Sequence, residues 1–544
     1  MGGGAIPGGL AGGATGGPPV LPPEQEVEVP FEAPQAGKTT VYVPNPGTHR
    51  VAAVNATTFA IETLPSGLSP TYAATVPGQD VAIVLNVGSS DASILRTTDG
   101  KTTLERLRIG HDQNAIAIAP DGLHALVYFD ARLSKKLAQS FQDVSVVNLT
   151  PGQEAVRGVS VGFRPRAVRF SGDGKRAFVV TEDGVSVIDL AATDNGPTIA
   201  QLVSVGDKVG EPVSSDVQIV PDGSFAVARR EGDPRLRLVD LTSGEIKTLT
   251  FEGLQALAPA DAGVDAGDAG DAGVPEAGAP DAGDAGADGG APLPHGNLEL
   301  TDLDLAADGS YALAVIRNAG ALLRIPLPAG FDDPTTIKVL PIEVPNLGSV
   351  NVSKQGNLAV LYATALPVEA VVLVDLNDPA LRQRAVRLRK AVRGVALADD
   401  GSRALVLHQK GPAAPPGANE EARIDASEGY SVIEVPQGIA KLQLTNAAPN
   451  ENDLVVTPDV GRLFLLLRDD GTKVRNVEMV DLRSLQVTPQ TLAKPPTSLG
   501  LIPGAARLFV SQESEGGMIT FLDVVSGKIV HAVSGFELSG RVRQ

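Results

Sequence analysis

The stretch PRAVRFSGDGKRAFVVTEDGVSVIDL, Pro165 to Leu190, carries the pattern from which the rest of the chain can be read. An alternating segment ends at Asp173-Gly174, a second returns over Arg176 to Thr181, and a third, Val185 to Leu190, closes on Asp189. Asp-Gly between two apolar alternations is a tight hairpin signal, and an Asp at a strand end accepts backbone N–H groups in the turn that follows. A fourth segment, Ile199 to Val205, completes four short antiparallel strands, the unit of one propeller blade.

The same grammar recurs along the chain. First hairpin turns are marked by Gly78, Gly122, Gly174, Gly223, Gly309, Gly356, Gly401, Gly461 and Gly504, spaced by 44, 52, 49, 86, 47, 45, 60 and 43 residues. The 86 contains a 38-residue acidic segment, Ala258 to His295, and becomes 48 without it, so the period is that of a blade. Third strands close on Asn55, Asn148, Asp189, Asp240, Asp375, Asp481 and Asp523. The N-terminal strand GKTTVYVPN, Gly37 to Asn45, aligns with a second strand, whereas GFELSGRVRQ, Gly535 to Gln544, aligns with a first. Each end therefore supplies what the other lacks, and Phe536 to Arg543 is expected beside Thr39 to Val43. The expectation is an all-β protein, a β-propeller of four-stranded antiparallel blades. About ten blades are closed by the two termini, and two smaller propellers are the alternative.

The expected organisation is a Gly/Pro-rich leader over 1–36, blades 1 to 5 over 37–257, a disordered insert over 258–295, and blades 6 to 10 over 296–544. The insert has eight acids, no base and no apolar residue at each turn, which argues against a calcium-binding β-helix. The leader has the composition of a tether, so a lipid anchor at the native N-terminus is an expectation.

Composition excludes several function classes. The 544 residues hold 45 Lys plus Arg against 64 Asp plus Glu, a net charge of −19 that disfavours nucleic acid. The absence of cysteine removes thiolate nucleophiles, disulfides and zinc-thiolate sites. Tryptophan is also absent, which excludes WD40 repeats and tryptophan-docked quinoprotein propellers. No apolar run reaches membrane-spanning length.

The second-strand segments VYVPN, Val41 to Asn45, and AFVVTE, Ala177 to Glu182, resemble the YVTN family of β-propeller repeats. That resemblance implies a protein exported to the periplasm, outer membrane or surface. It also admits relatives that are lactonases or carry redox cofactors. The lactonase kind would need convergent groups at the channel mouth, for which His111, Asp112, Arg164 and Arg166 are available. His49, His111 and His408 would have to meet across a wide channel to hold a metal, so no metal or cofactor is expected.

Two fragments match catalytic motifs without their context. GVSVG, Gly158 to Gly162, lies along a fourth strand rather than at a strand-to-helix elbow, and AGKTT, Ala36 to Thr40, leads into a strand rather than a helix. The basic run Leu381 to Gly394 falls on an outermost strand, where arginine blocks edge pairing. The long insertions carry more information: Asp130 to Asp143 in blade 3, Gln409 to Gly429 in blade 8, and the acidic segment all belong to loops of one face. A non-enzymatic, exported scaffold that offers this face to a protein partner is the leading expectation, ahead of a hydrolase and a redox propeller.

Overall fold

The structure, a computed structural model, describes residues 36–133, 138–196, 198–206, 216–251, 254, 298–468 and 474–538. The leader, apart from Ala36, and the whole acidic insert lie outside these residues. Ten antiparallel sheets follow in chain order, over 40–65, 70–108, 115–160, 167–203, 216–249, 300–341, 349–387, 392–445, 448–491 and 496–534. Nine have four strands in sequential order, and the first has three among the described residues.

Blade 4 shows how the sequence makes the unit. Its strands Ala167–Phe170 and Arg176–Val180 pair with Phe170 opposite Ala177, and Val185–Asp189 returns with Ile188 opposite Ala177. Gly174 sits at φ 70° and donates its N–H to Ser171 O at 2.9 Å. A Cβ there would also come within 2.6 Å of the Asp121 carboxylate in the preceding blade, so backbone and neighbour both demand glycine. Middle strands are packed on both faces by adjacent blades and read as continuous apolar runs, as in Val81–Asn86 and Leu358–Tyr362, buried throughout. Outermost strands such as Gln486–Thr491 are largely exposed.

The first turns of blades 9 and 10 depart from the expected pattern. The left-handed residue is Val460 (φ 49°) in one and Ala506 (φ 49°) in the other, not Gly461 or Gly504. Gly504 is required for another reason: its N–H donates to Lys38 O at 2.8 Å, and a Cβ would meet that carbonyl at 2.6 Å.

Ten apolar clusters of described residues each join two successive blades, including the junction of blade 10 with blade 1. Blade 5 packs directly on blade 6 through Leu236, Leu238 and Phe251 against Leu303, Ala312 and Leu323, so the acidic insert does not separate two rings. At the closing junction Val41, Val43 and Val54 pack with Ile502, Phe509, Phe521 and Leu538. Asn45 Nδ2 donates to Phe536 O at 3.0 Å. Thus 536–538 reach the end of the Thr40–Asn45 strand as the closure requires, while 539–543 of the expected closing strand lie outside the described residues.

Candidate functional site

Loops between second and third strands share one face with the connections between blades. In blade 3 the Asp130 carboxylate, 4% exposed, holds the Arg132 guanidinium at 2.7 and 3.0 Å. Asn114 brackets the Asp130 backbone, donating to its O at 3.0 Å and accepting from its N–H at 2.7 Å. Residues 134–137 of this insertion lie outside the described set. Its return places Phe141 edge-on to Phe129 and 5.8 Å from the Phe163 ring. The Arg164 guanidinium lies 5.7 Å from the Phe141 ring centre and 5.0 Å from that of Phe163, a cation–π arrangement in a protein with few aromatics.

The four candidate hydrolytic residues occupy this face, but only the two arginines share a partner. His111 Nδ1 lies 3.1 Å from Ser90 Oγ in blade 2. Asp112, at φ 60°, accepts from Gln139 N at 3.0 Å and so tethers the blade 3 insertion. Arg164 and Arg166 both turn to Glu182, at 3.6 and 3.0 Å. The three face histidines do not converge either. His49 Nδ1 accepts from Ser69 N at 3.0 Å, and His408 is 1% exposed between Ala391 O and Ser431 Oγ. Burial pushes His408 down to about 4, leaving it neutral near pH 7. Among the described residues no group of three or more His, Asp or Glu side chains is placed to hold a metal ion.

The blade 8 insertion contains helix α1 (Glu420–Asp425), capped by Asn419, whose side chain accepts from Ala422 N at 2.9 Å. Lys390, in the basic run, is buried beneath it and donates from Nζ to Ile424 O and Asp425 O, both at 2.7 Å. An ammonium at the carbonyl end of a helix is favourably placed, although burial draws the Lys390 pKa down. The basic run expected on an outermost strand is divided. The arginines at 382, 384, 387 and 389 are exposed, with Arg384 and Arg387 on the outermost strand Gln383–Arg387; Lys390 is instead a buried anchor for the neighbouring loop.

The opposite face also carries extended connections. Blade 4 links its third and fourth strands through a short helix, Leu190–Asn195, and blade 6 through Ala329–Asp332 and the turn Pro334–Thr336. Asp194 of the first helix reaches back to His124 Nε2 at 3.0 Å and Asn148 Nδ2 at 2.8 Å in blade 3.

Both discarded motifs have structural roles. Ser160 ends the outermost strand Ala155–Ser160, as expected for a chance G-x-S-x-G match. In AGKTT the Thr39 and Thr40 N–H groups donate to Asp80 Oδ1 at 2.7 and 2.9 Å, so a carboxylate of this chain already occupies the place of a phosphate.

No family model matches the chain, and no curated protein matches it. Solved structures to which it is similar include the dihydro-heme d1 dehydrogenase NirN in complex with DHE, at 12% identity, TM-score 0.39, covering 95% of this chain and 78% of that one. The hydrazine synthase of Kuenenia stuttgartiensis is similar at 15% identity and TM-score 0.28, over 70% of this chain and 99% of that one. A eukaryotic initiation factor is similar at 11% identity and TM-score 0.46, over 91% of this chain and 96% of that one.

Proposed function

We propose that the protein is an exported, non-enzymatic scaffold of the cell envelope that presents the face bearing the blade 3 and blade 8 insertions to a protein partner. The observation that carries this reading is how the two insertions are held. The blade 3 insertion is tied to the blade at both ends, by Asn114 on the Asp130 backbone and by Asp112 on Gln139 N, and the blade 8 insertion by the buried Lys390 ammonium. A recognition loop fixed before binding loses less conformational freedom on association. Beside the blade 3 insertion, Arg164 with Phe141 and Phe163 supplies the side-chain types that dominate interface energetics.

Export and an envelope location rest on the likeness of VYVPN and AFVVTE to YVTN repeats, and a lipid anchor on the tether-like composition of the leader. Hydrolysis finds less support because His111 is engaged with Ser90, Asp112 with Gln139, and Arg164 and Arg166 with Glu182, so the four do not converge on one point. The test is capture of a partner from envelope extracts by the intact protein and by a variant lacking both insertions. Loss of a captured species in the variant supports the scaffold; equal capture by both overturns it.

A further inference from the structure

On the face opposite the insertions, a cleft of about 370 Å³ opens between the turn that joins the third and fourth strands of blade 1 and the corresponding turn of blade 2. Its volume falls in the range of small-molecule sites. We propose that this cleft binds a small neutral ligand carrying a vicinal diol, as found in a monosaccharide or a linear polyol.

The argument starts from Thr40 at the back of the cleft. Its side chain is buried at 1% exposure, and Oγ1 has no hydrogen-bond partner among the described residues. Neighbouring hydroxyls are satisfied: Thr97 Oγ1 lies 2.8 Å from Tyr42 OH and 2.9 Å from Thr102 Oγ1, and Tyr42 OH donates to Asp80 O at 2.8 Å. An unpaired buried hydroxyl costs folding free energy, so its presence in a concave site points to a ligand that completes it.

The other polar groups define that ligand. Glu62 uses one carboxylate oxygen to accept from Thr102 N at 2.7 Å, which fixes the side chain and leaves the second oxygen as an acceptor. Asn55 uses its side-chain oxygen for Thr57 N and Thr58 N, which orients its NH₂ as a donor. A fixed carboxylate beside an amide donor and a hydroxyl matches adjacent alcohols, each of which donates one hydrogen bond and accepts another. Glu62 repels an anion and Lys101 at the rim repels a cation, so a ligand of net charge is disfavoured, and free amino acids serve to test a zwitterion. Ala60 and Ile61, the latter 40% exposed, provide an apolar side for the carbon skeleton.

The experiment is saturation-transfer NMR with the full chain against a panel of monosaccharides and linear polyols, with free amino acids and a short fatty acid as controls, followed by calorimetric titration of Thr40→Val and Glu62→Gln. Transfer to a sugar or polyol is expected, with affinity lowered about tenfold in each variant. Thr40→Val should melt no lower than the parent, because it removes an unsatisfied hydroxyl without changing shape. Glu62→Gln keeps an acceptor for Thr102 and decides the matter should Thr40→Val fold poorly. No diol binding, binding unchanged in the folded variants, or binding of an amino acid or fatty acid alone overturns the proposal. The cleft and the insertions occupy opposite faces, so failure here leaves the scaffold reading to its own test.

Discussion

Glu537, in the segment that follows the last blade, places a carboxylate oxygen 3.2 Å from an Arg50 guanidinium nitrogen in the first blade. The same carboxylate accepts from Thr48 Oγ1 at 3.1 Å, and the next residue, Leu538, is buried at the closing junction. Closure is therefore held by an exposed ion pair outside and apolar packing inside, and the two terms differ in size. Leu538→Ala should destabilise by about 2 to 5 kcal/mol through lost burial and a cavity. Glu537→Gln should cost less than about 1 kcal/mol, because Arg50 is half exposed. Denaturant unfolding of the two variants compares them directly; a silent Leu538→Ala would deny that the segment closes the ring.

Two turns offer a test of backbone conformation. Ala506 is exposed at φ 49°, so Ala506→Gly should stabilise blade 10 by about 0.5 to 1 kcal/mol. Gly174→Ala should do the reverse, by about 1 to 3 kcal/mol, since it combines left-handed strain with a clash against Asp121. Thermal melts of both would reveal an error if the signs agreed.

His408 predicts a pH dependence. Burial holds its folded pKa at about 4, below the ordinary histidine value of 6.5, so the unfolded chain binds the proton more readily. The associated stability is complete above pH 6.5 and is lost as pH falls toward 4. Relative to His408→Gln, the parent should lose about 2 kcal/mol between pH 7 and pH 5, with unfolding followed at both values. Parallel losses in the two proteins would contradict the assigned burial.

Lys390 ties a surface insertion to the core. Replacing 409–429 with a short turn strands its ammonium without Ile424 O and Asp425 O, at a cost of about 1 to 3 kcal/mol. Adding Lys390→Met should recover most of that loss. Equal melting temperatures with and without Lys390→Met would show that the ammonium finds other partners.

What could be read from the chain was local. Asp240, Asp481 and Asp523 were legible as strand ends because one side chain accepts two successive backbone N–H groups, as each does here. The left-handed positions at Val460 and Ala506 were not legible, because Gly461 and Gly504 close by carry the usual signal while the residue that adopts φ > 0 is one that seldom does. Burial of Lys390 depends on an insertion folding back over it. The unpaired Thr40 hydroxyl is visible only once blades 1 and 2 are side by side. The helix Leu190–Asn195 was hidden for a related reason: Asp189 accepts from Ala192 N as a helix cap, using the same chemistry that elsewhere begins a turn.

The scaffold reading is tested most directly by parallel capture from envelope extracts with three proteins: the parent, His111→Ala, and a variant with 130–143 and 409–429 replaced by short turns and Lys390→Met added. The parent and His111→Ala should retain the same partner, while the loop variant, shown to be folded by its β-sheet spectrum and melting temperature, should lose it. Capture that persists in the folded loop variant, or that disappears in His111→Ala alone, would contradict the assignment of function to the insertion-bearing face.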